Sequence, residues 1–279
     1  MQISDEFALR RVWGPRPSYP LVMAYQPPKK EFVVIAGPCS VESVEQIHPI
    51  SDFVGRYGAT HLRGGVFRAG TYPGKNFGYI DMNLIKHYYG AAKFAKLDNI
   101  IEILDYTPES LNQIAQYADC FQVGCRQMQN YTLLRTLGQF KKPVFLKRHP
   151  GATIDEWLGA AEHLLTGGVQ EMYLIERGSS THATHVRWDL SLSMIPAVKA
   201  LTKMPVIVDA SHGTGRRDLV EPMTLAGVAA GAGGMLVEVH EKPTESLSDA
   251  DQAVSPESFK SIMKKVKAIR EITKGEKDA

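Results

Sequence analysis

Several residues able to do chemistry stand at the ends of short apolar runs. Cys39 follows FVVIAG, Arg63 follows HL, Arg126 follows CFQVG, and Lys147 follows PVFL. Arg177 ends MYLIER, His212 follows PVIVDAS, and Glu238 ends MLVE. A thiol, an imidazole and a carboxylate together suit a divalent transition metal. Asp249, in SLSDADQ, is a candidate fourth ligand. The basic groups suit a small molecule carrying a phosphate and a carboxylate, since arginine forks take both groups bidentately. Gathering so many cations is costly without an anionic partner. Taken singly, each arginine is better explained by a local carboxylate, the cysteine by packing and the histidine by an ordinary hydrogen bond. Cys120 and Cys125 flank opposite ends of one run, about 16 Å apart at ~3.3 Å per residue, so they form no second metal pair.

What must position these groups is a set of strands. Eight apolar runs occur: 32–37, 61–65, 100–104, 120–124, 143–148, 172–177, 205–211 and 235–240. They are continuous rather than alternating, as expected of strands buried on both faces. Helical patterns separate them. Thr107-Pro108, Thr153 with Glu156, and Ser255-Pro256 read as capped helix starts. Strand and helix alternate without a break in composition, which predicts one (β/α)₈ barrel over residues 32–279 behind a proline-rich extended arm, 1–31. An open doubly wound sheet is the alternative. In a barrel the strand ends converge on one bowl, where the third strand adds Glu102 and Asp105. The stretch PVIVDASHGTGRRD, 205–218, reads as a buried strand, a polar glycine-rich loop carrying His212, and a helix start.

The chain has 279 residues, with 32 Lys and Arg against 30 Asp and Glu. That balance argues against a nucleic-acid partner. No apolar run nears the ~20 residues needed to span a bilayer, and no leader peptide is evident. Three cysteines fit a reducing cytoplasm.

The motifs AGPCSVES, LRGG, QVGCRQMQN, LKR with ATIDEW, ERG, SHGTGRRDLVEP, VEVH and LSDADQ resemble 3-deoxy-7-phosphoheptulonate synthases. The nearest branch is the short one related to 3-deoxy-octulosonate 8-phosphate synthase. The resemblance spans about residues 32–270 and implies a barrel that condenses phosphoenolpyruvate with a phosphorylated aldose. Carried over by motif, it implies metal ligands Cys39, His212, Glu238 and Asp249. Cys39 stands where metal-independent octulosonate enzymes have asparagine, so a divalent ion (manganese, zinc, iron or cobalt) is implied. It also implies phosphoenolpyruvate contacts from Arg126, Lys147 and Arg177 beside Arg63, with Lys147, His212 and Cys39 in catalysis. A cytoplasmic homo-oligomer, commonly a tetramer, is the family's form. Its feedback-inhibited members carry an added domain, so no such inhibition is expected here.

One segment departs from the family pattern. After LRGG the family usually reads A-[FY]-K-P-R-T-S-P, and here Val66-Phe67-Arg68-Ala69-Gly70-Thr71-Tyr72-Pro73 stands instead. The family lysine has become Arg68, and the arginine that holds the acceptor's phosphate has become Gly70. Arg68, Thr71 and Lys75 are the candidate substitutes. His149-Pro150 replaces the usual glycine and small residue. Erythrose 4-phosphate is the default acceptor, and a different aldehyde is the alternative. A silent phosphometabolite-binding paralogue and a Schiff-base aldolase using Lys147 are further readings.

Overall fold

Alternation within each strand decides which side chains reach the centre. A computed structural model of the protein describes residues 18–27, 32–66, 81–104 and 107–275. Its strands are β1 (Val33–Gly37), β2 (His61–Arg63), β3 (Asp98–Glu102), β4 (Cys120–Val123), β5 (Val144–Lys147), β6 (Met172–Glu176), β7 (Val206–Asp209) and β8 (Gly234–Glu238). All neighbours pair in parallel, and β1 pairs with β8 to close the barrel. The open-sheet alternative is thereby excluded.

Both strand faces are buried, which explains the continuous apolar runs. Val33, Ile35, Ile100, Cys120, Phe145, Tyr173, Ile175, Ile207 and Leu236 form one cluster, the packed barrel interior. Their neighbours Val34, Ala36, Ile101, Phe121, Val144, Leu146, Leu174, Val206, Val208 and Val237 pack in the larger cluster with the helices. Two residues beyond the inner layer, the same alternation turns Arg63, Glu102, Gln122, Lys147, Arg177, Asp209 and Glu238 toward the bowl.

The helices are α1 (Pro20–Ala24), α2 (Val44–Arg56), α3 (Met82–Phe94), α4 (Pro108–Ala115), α5 (Tyr131–Leu137), α6 (Ile154–Thr166), α7 (Met194–Lys199), α8 (Ala210–Thr214), α9 (Arg217–Ala229) and α10 (Pro256–Gly275). Ser43, Asp81, Thr107, Asn130 and Thr153 accept backbone N–H groups at their starts. Thr153 and Glu156 complete the expected capping box.

Two local expectations differ from the structure. Within the proline-rich arm, Pro20–Ala24 is helical rather than extended. Pro20 presets the first turn, and Val22 and Tyr25 are buried. The Tyr25 hydroxyl bonds the backbone of Met172, where β6 begins, so this segment lies at the N-terminal end of that strand. Between β7 and α9 the polar loop contains one helical turn, α8. Asp209 caps it by accepting the His212 N–H, and Gly215, at φ +66°, ends it.

Candidate active site

Glycine lets β1 deliver Cys39. Gly37 has φ +145°, and a Cβ there would lie 2.1 Å from the Arg63 carbonyl oxygen. The strand ends thus approach more closely than any side chain permits. Cys39 is buried, and its thiol donates to Asp249 Oδ2 at 3.1 Å. His212, on α8, places Nε2 3.0 Å from Glu238 Oε1. One ligand atom from each of Cys39, His212, Glu238 and Asp249 lies within 4.8 Å of the other three. That span is comparable to twice a metal–ligand bond of ~2.0–2.3 Å, and one sulfur, one imidazole and two carboxylates fit a borderline divalent ion. Four residues separated in sequence by up to 210 positions therefore meet as one candidate ligand set.

The buried charges around this set are interlocked. Arg63 Nη1 bonds Glu238 Oε1 at 2.6 Å. Lys147 Nζ lies 3.1 Å from Asp209 Oδ2, which lies 2.8 Å from His212 Nδ1. Asp209 and Glu238 are fully buried. Burial pushes each carboxyl upward, but His212 beside both, with Lys147 at Asp209 and Arg63 at Glu238, holds both well below the ordinary carboxylate range. The Ser211 hydroxyl accepts the Glu238 N–H and ties β7 to β8.

Arg177 is different. It is 4% exposed, its Nη1 has no hydrogen-bond partner among the described residues, and its guanidinium lies 5.2 Å from the Trp188 ring centroid. Burial depresses its pKa. A buried guanidinium with a donor unpaired among the described residues can take an anion from outside the protein. Arg63 Nε is likewise buried without a partner. Arg126 is exposed at the start of the β4–α5 connection.

Among the described residues, a local carboxylate partners Arg63, and none is within ion-pair distance of Arg177. Glu102 faces Gln122, whose amide donates to it at 3.0 Å. Arg68, Gly70, Thr71, Lys75 and Asp105 lie outside the described residues. His149 is exposed and accepts the Gly151 N–H.

Asp209, Arg148 and Gln252 were not singled out from sequence. Asp209 carried a usable signal, as the last residue of an apolar run one turn before His212. Arg148 carried a misleading one, because it sits beside Lys147. Its side chain takes the opposite parity and forks onto Glu176 at 2.5 and 2.8 Å, away from the bowl.

Known proteins resemble this chain in sequence and fold. The family model described as the DAHP synthetase I family matches residues 28–274. A phospho-2-dehydro-3-deoxyheptonate aldolase of Thermotoga maritima is 37% identical over 238 residues, covering 85% of this chain and 70% of that one. A 2-dehydro-3-deoxyphosphooctonate aldolase of Desulfotalea psychrophila is 25% identical over 261 residues, covering 85% and 89%. The crystal structure of the Thermotoga maritima DAHP synthase superposes with a TM-score of 0.82 at 35% identity, covering 88% of this chain and 70% of that chain. A truncated form of that synthase gives 0.80, covering 88% of each. With a closed eight-stranded barrel and a family match along nearly its whole length, this chain is an enzyme of the DAHP synthetase I family.

Proposed function

We propose that this protein condenses phosphoenolpyruvate with an aldose, by default erythrose 4-phosphate, in a metal-dependent reaction that yields a 3-deoxy-ulosonate phosphate and inorganic phosphate. The observation that carries the proposal is the meeting of Cys39, His212, Glu238 and Asp249 within 4.8 Å at the barrel mouth, where Lys147 ends β5 and Arg177 follows β6. Those four residues would hold the ion. When bound, a divalent ion supplies Lewis acidity toward the acceptor's aldehyde oxygen.

The remaining work falls to the protein's own side chains. Arg177, with its unused buried donor, and Lys147 take the phosphate and carboxylate of phosphoenolpyruvate, with Arg126 at the rim. Arg63 stays on Glu238 and holds that carboxylate in place. Phosphoenolpyruvate is thereby fixed with C3 toward the acceptor carbon. A bond forms between them, cationic character develops at C2, and one water adds there. The C2–O bond to phosphate then breaks and inorganic phosphate leaves. Much of the rate enhancement comes from positioning and from cations already in place for the departing phosphate.

The test is phosphoenolpyruvate consumption by metal-reconstituted protein across an acceptor panel. It contains erythrose 4-phosphate, arabinose 5-phosphate and the unphosphorylated four- and five-carbon aldoses. Fastest turnover with erythrose 4-phosphate is expected. Turnover only with another aldehyde would reassign the acceptor, and none with any would overturn the proposal.

A further inference from the structure

The turn that carries Asp249 is heavily tied down. Asp249 has φ +52°, a left-handed conformation uncommon outside glycine, asparagine and aspartate. The Gln252 N–H donates to its carbonyl oxygen and closes the turn. Arg217, in the GRRD stretch, grips the same turn from α9. Its N–H donates to the Asp251 carbonyl, its Nε to Ala253 and its Nη2 to Ala250, all at 2.6–2.7 Å. These bonds hold the turn in a single conformation.

Gln252 lies at the centre of it. Its side chain is 2% exposed. Nε2 donates to Glu238 Oε2 at 2.7 Å and toward Asp249 Oδ2 at 3.4 Å. Oε1 accepts from Arg187 Nη1 at 3.3 Å, and Arg187 also lies 3.6 Å from Asp249 Oδ1. The amide has only one workable orientation, because carboxylates only accept and a guanidinium only donates. The Arg187 backbone is tied to the same region, since its N–H donates to the Thr214 carbonyl two residues beyond His212, while its side chain is partly exposed. Two carboxylates brought together for one ion repel each other. Gln252 places one polarised N–H₂ group between them, and Arg187 on the amide oxygen strengthens that polarisation.

We infer that Gln252 is a positioning residue for the metal centre. It sets the separation and orientation of Glu238 and Asp249, with Arg187 as its anchor. The inference rests on the metal-binding reading of Cys39, His212, Glu238 and Asp249. Loss of a hydrogen-bonding neighbour behind metal ligands typically weakens metal affinity 10–100-fold.

The experiment titrates metal-free, full-length protein with cobalt(II) and follows the thiolate-to-cobalt charge-transfer absorbance from Cys39. Wild type, Gln252→Met and Arg187→Met are compared, with thermal melting of each metal-free form. Gln252→Met keeps the side-chain length and removes the polar atoms. It is expected to show the same band with about 10–100-fold weaker apparent affinity, and turnover recovering as cobalt is raised. Arg187→Met leaves Gln252 in place and is expected to weaken affinity by about 3-fold or more. If Gln252→Met does not fold, the Arg187→Met titration decides, and unchanged affinity there overturns the inference. A lowered melting temperature with cobalt affinity equal to wild type would assign Gln252 a structural role only. Absence of the thiolate band in wild type would overturn the metal reading itself, a result distinct from wild-type binding that neither variant alters.

Discussion

Asp209 Oδ2 lies 2.8 Å from His212 Nδ1, and the other ring nitrogen of His212 lies 3.0 Å from Glu238 Oε1. Asp209 therefore fixes which face of the imidazole meets the candidate ligand set. With Nδ1 turned to Asp209, Nε2 is the ring nitrogen that would meet an ion held by that set. The same carboxylate pairs with Lys147, so one buried group ties the candidate ligand set to that lysine.

Asp209→Asn should uncouple the two. An amide cannot accept from Lys147 and His212 as a carboxylate does, and its N–H₂ would face one of those donors. The expected outcome is metal affinity or turnover lower by about 10–100-fold. A metal titration with parallel steady-state kinetics measures both.

Arg177→Met makes a prediction with two opposite signs. Among the described residues the buried guanidinium has no partner for Nη1, so its removal relieves a desolvated charge. The ligand-free protein should melt at the same or a higher temperature than wild type. Phosphoenolpyruvate binding should weaken by about 2–5 kcal/mol, the range for losing one member of a buried charged pair. Thermal shift with and without phosphoenolpyruvate separates these effects.

Sequence made the barrel legible because β and α patterns alternate eight times, and the order of charged strand ends then predicted a common bowl. It could not show parity at each end. Lys147 and Arg148 are adjacent cations, yet one faces Asp209 in the bowl and the other is held by Glu176. Nor could it show that Gln252, in a polar loop, would be buried between Glu238 and Asp249. β3 begins at Asp98, two residues before its apolar run. Asn99, fully buried, earns its place there through side-chain bonds to the Tyr117 carbonyl and the Asp119 N–H.

Arg148 and Glu176 bear on stability and on the loop behind Arg177. Arg148 is 1% exposed, forks onto Glu176, and also donates to Ser179 and to the Ala152 carbonyl. Glu176 in turn accepts the Gly178 N–H, one residue past Arg177. Arg148→Met should cost about 3–5 kcal/mol, since it leaves a buried carboxylate unpaired. Denaturant unfolding measures that loss, and kinetics on the folded fraction should show a raised KM for phosphoenolpyruvate.

Gly37→Ala should fail for a backbone reason. No Cβ fits 2.1 Å from the Arg63 carbonyl oxygen, so β1 must move away from β2 and carry Cys39 with it. The expected result is lower thermal stability together with weaker metal binding. A substitution at a merely exposed turn would produce neither.

The most direct test of the central claim uses chelator-stripped protein given phosphoenolpyruvate and the preferred aldose, with phosphate release and phosphoenolpyruvate loss followed together. The prediction is negligible reaction until manganese, zinc, iron or cobalt is restored, then one phosphate released per phosphoenolpyruvate consumed. The Cys39→Ser protein should require far more metal to reach the same rate. Equal turnover by the stripped and reconstituted forms, or phosphoenolpyruvate loss without phosphate release, would contradict the assignment of Cys39, His212, Glu238 and Asp249 as the centre of a metal-dependent condensation.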